Sequence, residues 1–463
     1  MSGRIQVAVV GGGIAGLAAA HELAADPAYD VTVLEASDRV GGKLRLAEVA
    51  GVTVDVGAEA MLNRRPEAVG LARSVGFDLV HPAATASRLW TRGELRPLPR
   101  SVMGVPTDLD QLASTGVLSD EGLARVREEP SIPPIEIGDD VSVAELVGTR
   151  LGREVVDRLV EPLLGGVYAG HASSLSARAA VPQVVAMLAQ GSLLEAARAL
   201  PSTPDVPVFA GIPGGLGLLP ARLAEGVRVR TGVTVRELVS TGSTTEPCFG
   251  LVLGSAAAPE RLVVDRVVVA TPAAPASRLL AHVAPAAASA LGEIEYASMA
   301  VVTLAFRRAD MPDLPGSGFL VPPVDGRVIK ASTFSFAKWG WVADAGGLDG
   351  RDQRGLALLR TSIGRHREEA ALQVPDEELV TRSLDDLRAA TGLAATPVDW
   401  HVQRWGGGLP QYAVGHLDRV RRTREAVARV PGLAVCGAAY DGIGIPATIG
   451  SARAAVARIR QAP

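Results

Sequence analysis

The chain begins with three glycines at the spacing GxGxxG, which are Gly11, Gly13 and Gly16. The apolar run at residues 5–10 that precedes them is typical of a buried parallel strand. Glycines at this spacing let a pyrophosphate approach the N-terminus of the following helix, where N–H groups and the helix dipole favour an anion. Glu35 ends the next apolar run, where a carboxylate can bind ribose hydroxyls and would repel a 2′-phosphate. The pattern predicts a dinucleotide site and disfavours NADP.

A second glycine loop, RVGGK at residues 39–43, follows the acidic residue. Its glycines permit close approach to a pyrophosphate, and Arg39 or Lys43 can offset phosphate charge. NAD-binding proteins seldom need this loop, so the two motifs together predict FAD. A third cluster of small residues, DVGAEA at residues 55–60, can bring the backbone against the isoalloxazine ring, although it can also be an ordinary strand end.

The composition of the 463 residues is that of a globular protein, with 48% hydrophobic and 21% charged residues. The net charge of −4 provides no global field that would recruit nucleic acid. Two cysteines, Cys248 and Cys436, are too few for a metal cluster, so we expect reduced thiols and no metal. The first strand has no charged leader, and we find no apolar run of about 18 residues. These features predict a cytoplasmic protein without a signal peptide or transmembrane segment, and they leave peripheral membrane contact open.

The order of the elements predicts an α/β fold in which a Rossmann-type FAD-binding domain is assembled from discontinuous segments. Apolar strands in RLVVDRVVVATP and GLAVCG return the chain to the nucleotide sheet, and strand signals between them predict a mixed-sheet substrate domain. Periodic Leu, Val and Ala residues at 101–210, before these strands, indicate a helical insertion. The predicted boundaries are 1–82, 211–295 and 411–463 for the FAD-binding domain, 83–100 and 296–410 for the substrate domain, and 101–210 for the insertion.

Five motifs occur in a characteristic order along the whole chain: GGGIAGLAAAHEL, VTVLEASDRVGGK, DVGAEA, RWGGGLPQYAVGH and GAAYDGIGIPATIGSARAA. This set resembles the bacterial protoporphyrinogen/coproporphyrinogen III oxidases of haem biosynthesis, within the amine-oxidase-like flavoprotein superfamily. The first two motifs are common to the superfamily. RWGGGLPQYAVGH is much more specific to the porphyrinogen oxidases.

The resemblance implies which residues contact the cofactor. It places the pyrophosphate on the first glycine turn, the adenine beside Val233, and the C-terminal helix near the flavin ring. Val233 could also be plain strand core, and Trp405 could be a packing aromatic. The implied cofactor-binding residues are Gly11, Gly12, Gly13, Ile14, Ala15, Gly16, Glu35, Ala36, Lys43, Gly57, Ala58, Glu59, Ala60, Val233, Trp405, Ile443, Gly444 and Ile445.

The resemblance also implies the reaction, which is oxidation of a porphyrinogen in successive two-electron steps. Molecular oxygen would reoxidise the flavin and yield hydrogen peroxide. We find no nucleophile-and-base set, so no side chain is expected to be catalytic and flavin N5 is the expected hydride acceptor. The resemblance favours coproporphyrinogen III over protoporphyrinogen IX as the substrate. It also suggests transient contact with a downstream chelatase.

A substrate with propionates requires local cations, because the chain as a whole is weakly acidic. Arginines cluster in and around a predicted hairpin, RLWTRGELRPLP, and two lysines bracket ASTFSFA. In our alignment the eukaryotic relatives carry an arginine near the position of Met103, where this chain has an apolar side chain. The candidate cations are Arg88, Arg92, Arg96, Arg100, Lys330 and Lys338. The predicted substrate-contacting residues are Arg88, Arg92, Met103 and Lys330.

Other flavoproteins are alternatives to this interpretation. A flavin amine oxidase would be expected to show an aromatic cage, whereas only 4% of the residues are aromatic. A carotenoid desaturase would be expected to carry longer apolar segments. A flavin-binding protein without turnover is a third alternative, which the sequence leaves open.

Overall fold

The structure is a computed structural model, and it describes residues 4–133, 135–200, 206–243, 245–350 and 354–462. The first and last residues of the predicted domains, at 1–3 and 463, lie outside the described residues, as do 134 and 201–205 of the predicted insertion. In chain order the strands are β1 (Ile5–Val10), β2 (Tyr29–Leu34), β3 (Leu46–Val49), β4 (Val52–Asp55), β5 (Met61–Leu62), β6 (Arg88–Thr91), β7 (Glu94–Pro97), β8 (Ser101–Val102), β9 (Val105–Pro106), β10 (Phe209–Ala210), β11 (Arg228–Arg230), β12 (Val235–Ser240), β13 (Phe249–Leu253), β14 (Glu260–Val264), β15 (Arg266–Val269), β16 (Tyr296–Arg307), β17 (Gly318–Leu320), β18 (Ile329–Thr333), β19 (Leu356–Ile363), β20 (Asp399–Pro410) and β21 (Leu433–Val435).

The helices connect these strands and form a separate helical region after β9. In chain order they are α1 (Ile14–Ala24), α2 (Pro66–Ser74), α3 (Leu109–Thr115), α4 (Asp120–Arg127), α5 (Val143–Leu151), α6 (Arg153–Val155), α7 (Glu161–Tyr168), α8 (Ala177–Ala180), α9 (Pro182–Leu188), α10 (Leu193–Ala199), α11 (Leu219–Ala224), α12 (Ala273–Leu280), α13 (Pro285–Gly292), α14 (Ser335–Lys338), α15 (Gly340–Ala345), α16 (Asp376–Thr391), α17 (His416–Ala428) and α18 (Ile445–Gln461). Among the described residues, no helix is both long and apolar enough to cross a lipid bilayer.

A five-stranded parallel sheet in the order β11-β2-β1-β15-β21 joins segments from both ends and the middle of the chain. Its central strand is buried on both faces, which explains its continuous apolar sequence. Val7 and Val9 pack in one core with α1 and α18, while Ala8 and Val10 pack in another with the antiparallel sheet β12-β13-β14. The predicted parallel sheet of discontinuous segments is confirmed.

A seven-stranded mixed sheet, in the order β20-β16-β19-β18-β17-β6-β7, lies elsewhere in the chain. One of its faces is covered by α16, whose Leu379 and Leu387 share a core with Ala300 and Val302 of β16. The predicted hairpin forms its edge as β6 and β7, with the turn at Arg92 and Gly93, which both have positive φ. A tight hairpin turn needs this conformation, and glycine adopts it readily.

The described residues between 101 and 210 form mainly helices, α3 to α10, as the periodic pattern predicts. The region begins differently from the expectation, because residues 101–106 form a small hairpin of β8 and β9 that turns at Met103 and Gly104. A π-helical turn at Val156–Val160 precedes α7. A Cβ at Gly104 would lie 2.6 Å from the Val160 side chain, so the hairpin packs closely on this turn.

A buried ion pair joins three parts of the helical region. Arg150 of α5 donates to Glu129 through Nε at 2.7 Å, and both side chains are buried. The same carboxylate accepts hydrogen bonds from Ser192 Oγ and from the first N–H groups of α10, those of Leu193 and Leu194. These hydrogen bonds hold the pKa of Glu129 below its usual value against burial, which acts in the opposite direction. The pair therefore fixes α5 and α10 to one carboxylate.

Replacing Arg150 by Met should destabilise the protein strongly, because it leaves the Glu129 carboxylate buried without its counter-ion. The expected loss is about 3–5 kcal/mol of unfolding free energy, which thermal unfolding followed by circular dichroism would report as a lower Tm. The matched control is Arg153→Met, which removes an exposed pair with Asp157 and should change Tm little. Equal Tm changes in the two variants would refute the role given to the buried pair.

Candidate active site

A cavity of about 790 Å³ lies beyond the carboxyl ends of β1, β2 and β15, and β16 and β20 of the mixed sheet contribute Tyr296 and Leu409 to its wall. Cofactor and ligand sites of open α/β sheets occur at this end of the strands. Eleven of the sequence-predicted residues line the cavity. They are Gly11, Gly13, Ile14, Ala15, Glu35, Ala36, Lys43, Ala58, Val233, Ile443 and Ile445.

The first glycine turn presents bare backbone to the cavity. A Cβ at Gly13 would meet no atom within 4 Å, so any side chain there would enter open space at the start of α1. Gly16 has a different role, because its Cβ would lie 1.9 Å from the Gly11 carbonyl oxygen. Gly16 thus allows α1 to pack against the turn, and Gly13 leaves room in front of it.

Glu35 and the second glycine loop hold this turn in place. The Glu35 carboxylate accepts from Gly12 N at 2.6 Å and from Ser37 N at 2.8 Å, and it lines the cavity. Gly41 N donates to Gly12 O at 2.8 Å, which ties the RVGGK loop to the turn. Lys43 also lines the cavity, where burial lowers the pKa of its ammonium group. An anion beside it would favour the charged form.

Most of the DVGAEA segment packs against the outer side of the cavity wall and does not line the cavity. Gly57 fits tightly, because its Cβ would lie 1.9 Å from Lys43 O and 3.2 Å from the Trp405 ring. Trp405 does not line the cavity itself; its Nε1 donates to Val56 O at 3.4 Å. Ala60 packs against a separate apolar cluster. The structure therefore places Ala58 at the cavity and the Ala60 side chain away from it.

Glu59 lies in a buried ionic network between the two sheets. Its carboxylate lies 2.7 Å from Lys338 Nζ and 3.2 Å from Arg360 Nε of β19. Burial raises the pKa of Glu59, but Arg360 and Lys338 outweigh burial and lower it to about 2. Arg360 also donates to Gly57 O at 2.7 Å. The side chain of Glu59 thus connects the loop to the mixed sheet and does not line the cavity.

Gly12, Gly16 and Gly444 occupy supporting positions, and a backbone hydrogen bond fixes the lining residue Val233. Gly12 and Gly16 lie within the turn behind its exposed face, and Val233 N donates to Glu35 O at 2.9 Å. Gly444 is the residue that precedes α18, between two residues of the cavity wall. These contacts bring the two termini of the chain to one site.

Several wall residues were missed by the sequence analysis. They include Thr271, Pro272, Arg236, Arg278, Tyr296, Leu409, Gly437, Ala438, Ala439 and Thr448. Thr271 lies two residues after β15, in the run RLVVDRVVVATP, and a position just beyond a parallel strand could have indicated it. Its hydroxyl is buried and has no hydrogen-bond partner, so the wall offers a polar group that a ligand can satisfy. Arg236 and Arg278 follow no motif, and their sequence context gave no signal.

The predicted substrate contacts do not line this cavity. Arg88 donates to Leu95 O at 3.3 Å, and Arg92 donates to Val117 O at 3.0 Å and forms a salt bridge with Glu154. Met103 sits at the turn of the β8–β9 hairpin with φ +50°. Lys330 is buried, with 2% of its surface exposed. Of the remaining candidate cations, Arg96 and Lys338 also form salt bridges.

The residues present fit a flavin dinucleotide. The cavity volume lies within the range of about 300–1,000 Å³ for cofactor and ligand sites. Its wall supplies a helix N-terminus without side chains, the Glu35 carboxylate and the cations Lys43, Arg236 and Arg278, together with the unsatisfied Thr271 hydroxyl. The fold and the site thus define a dinucleotide-binding flavoprotein.

Comparison with known proteins gives the family. The chain belongs to the flavin containing amine oxidoreductase family, which matches residues 14–460. It is therefore an oxidoreductase with FAD as its cofactor. The chain is 38% identical to a coproporphyrinogen III oxidase of Mycobacterium tuberculosis, over 98% of this chain and 97% of the relative. It is 31% identical to a coproporphyrinogen III oxidase of Bacillus subtilis, over 98% and 97%.

Solved structures agree with this assignment. A crystal structure from Exiguobacterium sp. 255-15, described as a protoporphyrinogen oxidase, has a TM-score of 0.85 and 31% identity over 99% of both chains. A putrescine oxidase has a TM-score of 0.69 at 19% identity over 99% of both chains, which shows a common fold. The predicted fold class and family are confirmed.

Replacing Gly13 by Asp should abolish FAD retention. The new side chain would enter the open space before α1 and place a negative charge where the pyrophosphate is expected. An unpaired buried charge costs about 3–5 kcal/mol, which corresponds to more than about a hundredfold in affinity. The measurement is the flavin absorbance of the purified protein. Gly70→Asp is the matched control, since Gly70 also has open space around it but lies exposed on α2. A Gly13→Asp protein with full flavin content would contradict the site.

A buried histidine should make this site sensitive to acid. The His416 ring stacks on Tyr412 at 3.7 Å, and the Tyr412 hydroxyl donates to Ala438 O at 2.7 Å and accepts from Gly442 N at 2.8 Å. Ala438 is part of the cavity wall. Burial, aided by Arg419, lowers the pKa of His416 to about 4, although the backbone of Tyr440 and the carboxylates of Asp140 and Asp441 act in the opposite direction.

Because the folded pKa lies below the unfolded value of about 6.5, neutral His416 stabilises the fold above pH 6.5. This stability, about 3 kcal/mol, should be lost as the pH falls from 6.5 to 4. His416→Phe keeps the stacked ring and should lose less stability over this range, as measured by Tm and flavin release. Exposed His282 provides the control variant His282→Gln. Parallel pH profiles for wild type and His416→Phe would rule this explanation out.

Proposed function

We propose that this protein catalyses the FAD-dependent oxidation of coproporphyrinogen III to coproporphyrin III. The observation that carries the proposal is the site itself, in which the flavin cavity is closed by the mixed sheet. The chain that forms this site matches coproporphyrinogen III oxidases over nearly its full length. A porphyrinogen is apolar over its rings and anionic at its propionates. The proposed substrate region therefore lies along the mixed sheet, next to Tyr296 and Leu409.

FAD supplies a hydride acceptor to this site when it is bound. The protein contributes positioning and the exclusion of water, because the ionisable side chains of the wall are poorly suited to take a proton from carbon. Tyr296 accepts from Ala273 N at 2.8 Å, and burial raises its pKa to about 12, so it remains protonated. Each two-electron step would remove a hydride and a proton from the macrocycle. We propose that molecular oxygen takes up the electrons and is released as hydrogen peroxide.

We also propose the cofactor contacts implied by the resemblance, now with two different roles. The lining residues would contact FAD, whereas Gly12, Gly16, Gly57 and Gly444 would shape the backbone around it. Glu59, Ala60 and Trp405 would act by supporting the DVGAEA loop. The domain division predicted from the sequence is part of the same proposal, with the FAD-binding domain containing the parallel sheet.

The setting of the reaction is a further part of the proposal. We place it in the cytoplasm, with the porphyrin passing to an iron-inserting chelatase by transient contact. Peripheral contact with a membrane is compatible with this scheme, since the substrate is largely apolar.

Protoporphyrinogen IX is the second candidate substrate. It is favoured by the 0.85 TM-score with a structure described as a protoporphyrinogen oxidase. The two substrates differ in propionate number, which is four for coproporphyrinogen III and two for protoporphyrinogen IX. The number of anions that the site binds therefore separates the candidates.

The proposal is tested with the flavin-loaded protein under air. We expect coproporphyrinogen III to give porphyrin fluorescence and hydrogen peroxide well above autoxidation, with a higher kcat/KM than protoporphyrinogen IX. A polyamine serves as the control for an amine oxidase and should give no peroxide. A faster reaction with protoporphyrinogen IX would reverse the substrate choice, and porphyrin formation no faster than autoxidation would overturn the function.

A further inference from the structure

Two buried cations lie side by side on the mixed sheet without a carboxylate partner. Lys330 and Arg365 are 2% and 4% exposed. Among the described residues, neither forms a salt bridge with an aspartate or glutamate. Lys330 Nζ donates to Gly364 O at 2.9 Å, and Arg365 Nη2 donates to Val321 O at 3.1 Å. Arg365 Nε is buried and makes no hydrogen bond.

Lys330 lies at a bulge in β18, and its side chain reaches Met299 of β16. Ile329 pairs with Ile363 and Ala331 with Ser362, so Lys330 is an extra residue between two consecutive pairs. Its Nζ lies 3.9 Å from Met299 Sδ, and Met299 pairs with Trp405, the residue that contacts Gly57 behind the cavity wall.

The position suits a large substrate that extends from the flavin. Tyr296 lines the cavity, and Met299 is three residues further along the same strand, about 10 Å at the rise of a β-strand. Ser298 and Met299 are only partly buried although their strand lies between β20 and β19. Ser298 and Met299 are therefore partly accessible between the cofactor cavity and Lys330.

The helix opposite Arg365 presents a glycine to the guanidinium group. Gly165 of α7 faces the guanidinium group, since a Cβ there would lie 3.8 Å from Arg365 Nε. The π-helical turn directly precedes this helix, and such turns occur frequently at functional sites. No side chain of residue 165 fills the space beside the unsatisfied N–H.

Two carboxylates attract Arg365 without forming a salt bridge with it, those of Glu368 and Glu161. Glu368 lies 3.1 Å from His171 Nε2, and Glu161 Oε1 accepts from Ala172 N at 2.9 Å. Glu161 Oε2 lies 3.7 Å from His171 Nδ1 and makes no hydrogen bond. The pKa of Lys330 reflects the missing counter-ion, because burial and then Arg365 lower it to about 7.

We propose that Lys330 and Arg365 together form a buried site for one carboxylate of the substrate. Burying cations without counter-ions is destabilising, and a bound carboxylate supplies the missing charge and accepts from the free Nε. The inference rests on the proposed function, and it places the anion site at two buried cations deep in the fold. Arg365 had not been identified from the sequence at all.

The test compares porphyrin binding with stability in the flavin-loaded protein. The variants are Lys330→Met and Arg365→Met, and the probes are coproporphyrin III and its tetramethyl ester, which lacks carboxylates. Each variant should weaken coproporphyrin III binding at least about tenfold by fluorescence quenching, since a charge-assisted hydrogen bond is lost. Binding of the ester should be unchanged. Tm should stay the same or rise, because an unpaired buried charge is removed.

The control and the rescue separate binding from structure. Arg367→Met, two residues from Arg365, removes an exposed partner of Glu295 and should affect neither reading. Lys330→Arg should restore part of the affinity. If the wild type oxidises coproporphyrinogen III but both Met variants bind coproporphyrin III as tightly as the wild type does, this inference alone is overturned. A lower Tm together with an equal loss of ester binding would overturn it as well. A wild type that neither binds nor oxidises these compounds would overturn the proposed function and the inference with it.

Discussion

The backbone at residues 11–13 has to lie bare at the end of a parallel sheet, and the rest of the site is arranged around that requirement. A pyrophosphate can approach a helix N-terminus only where side chains are absent, because the N–H groups that bind it belong to the main chain. The turn is therefore held from outside. Gly12 is tied to Glu35 and Gly41, and Gly16 allows α1 to pack directly on the turn. Any bulk inserted into these contacts would move the helix away from its ligand.

The same constraint is repeated further from the turn. Gly57 fits between Lys43 O and Trp405, and its carbonyl accepts from Arg360 of the mixed sheet. Glu59 adds a buried ionic network to this connection. Its cost of desolvation is offset because three partners, Lys338, Arg360 and Ser335, satisfy one carboxylate. The flavin cavity and the sheet that roofs it are thereby held together by backbone contacts and one shared anion.

The charged groups of the protein differ in how completely they are paired. Glu129 and Arg150 are buried and fully partnered, which suits a structural role in the helical region. Lys330 and Arg365 are similarly buried, but among the described residues they donate to backbone carbonyls and form no salt bridge. This contrast indicates that burial alone does not define function. The informative feature is a buried charge whose counter-ion is missing from the protein.

The sequence by itself determined the cofactor, the parallel sheet of distant segments and the glycine turns and acidic residue of the cavity wall, because glycine spacing and strand-ending acids are local requirements of the chain. It also indicated the β6–β7 hairpin through its glycine turn. Tertiary structure alone decided the rest. Thr271, Arg236 and Arg278 reach the wall through folding of segments with no motif, and Glu59 turns from the cavity to Lys338 and Arg360. The sequence did not predict the partners of the cations, because Arg92 and Glu154 are distant in sequence and form a salt bridge only in the fold. Lys330, at a one-residue bulge, likewise comes near Arg365 only in the fold. Local backbone conformation depends on neighbouring residues, whereas the partners of a charged side chain depend on which distant segments pack together.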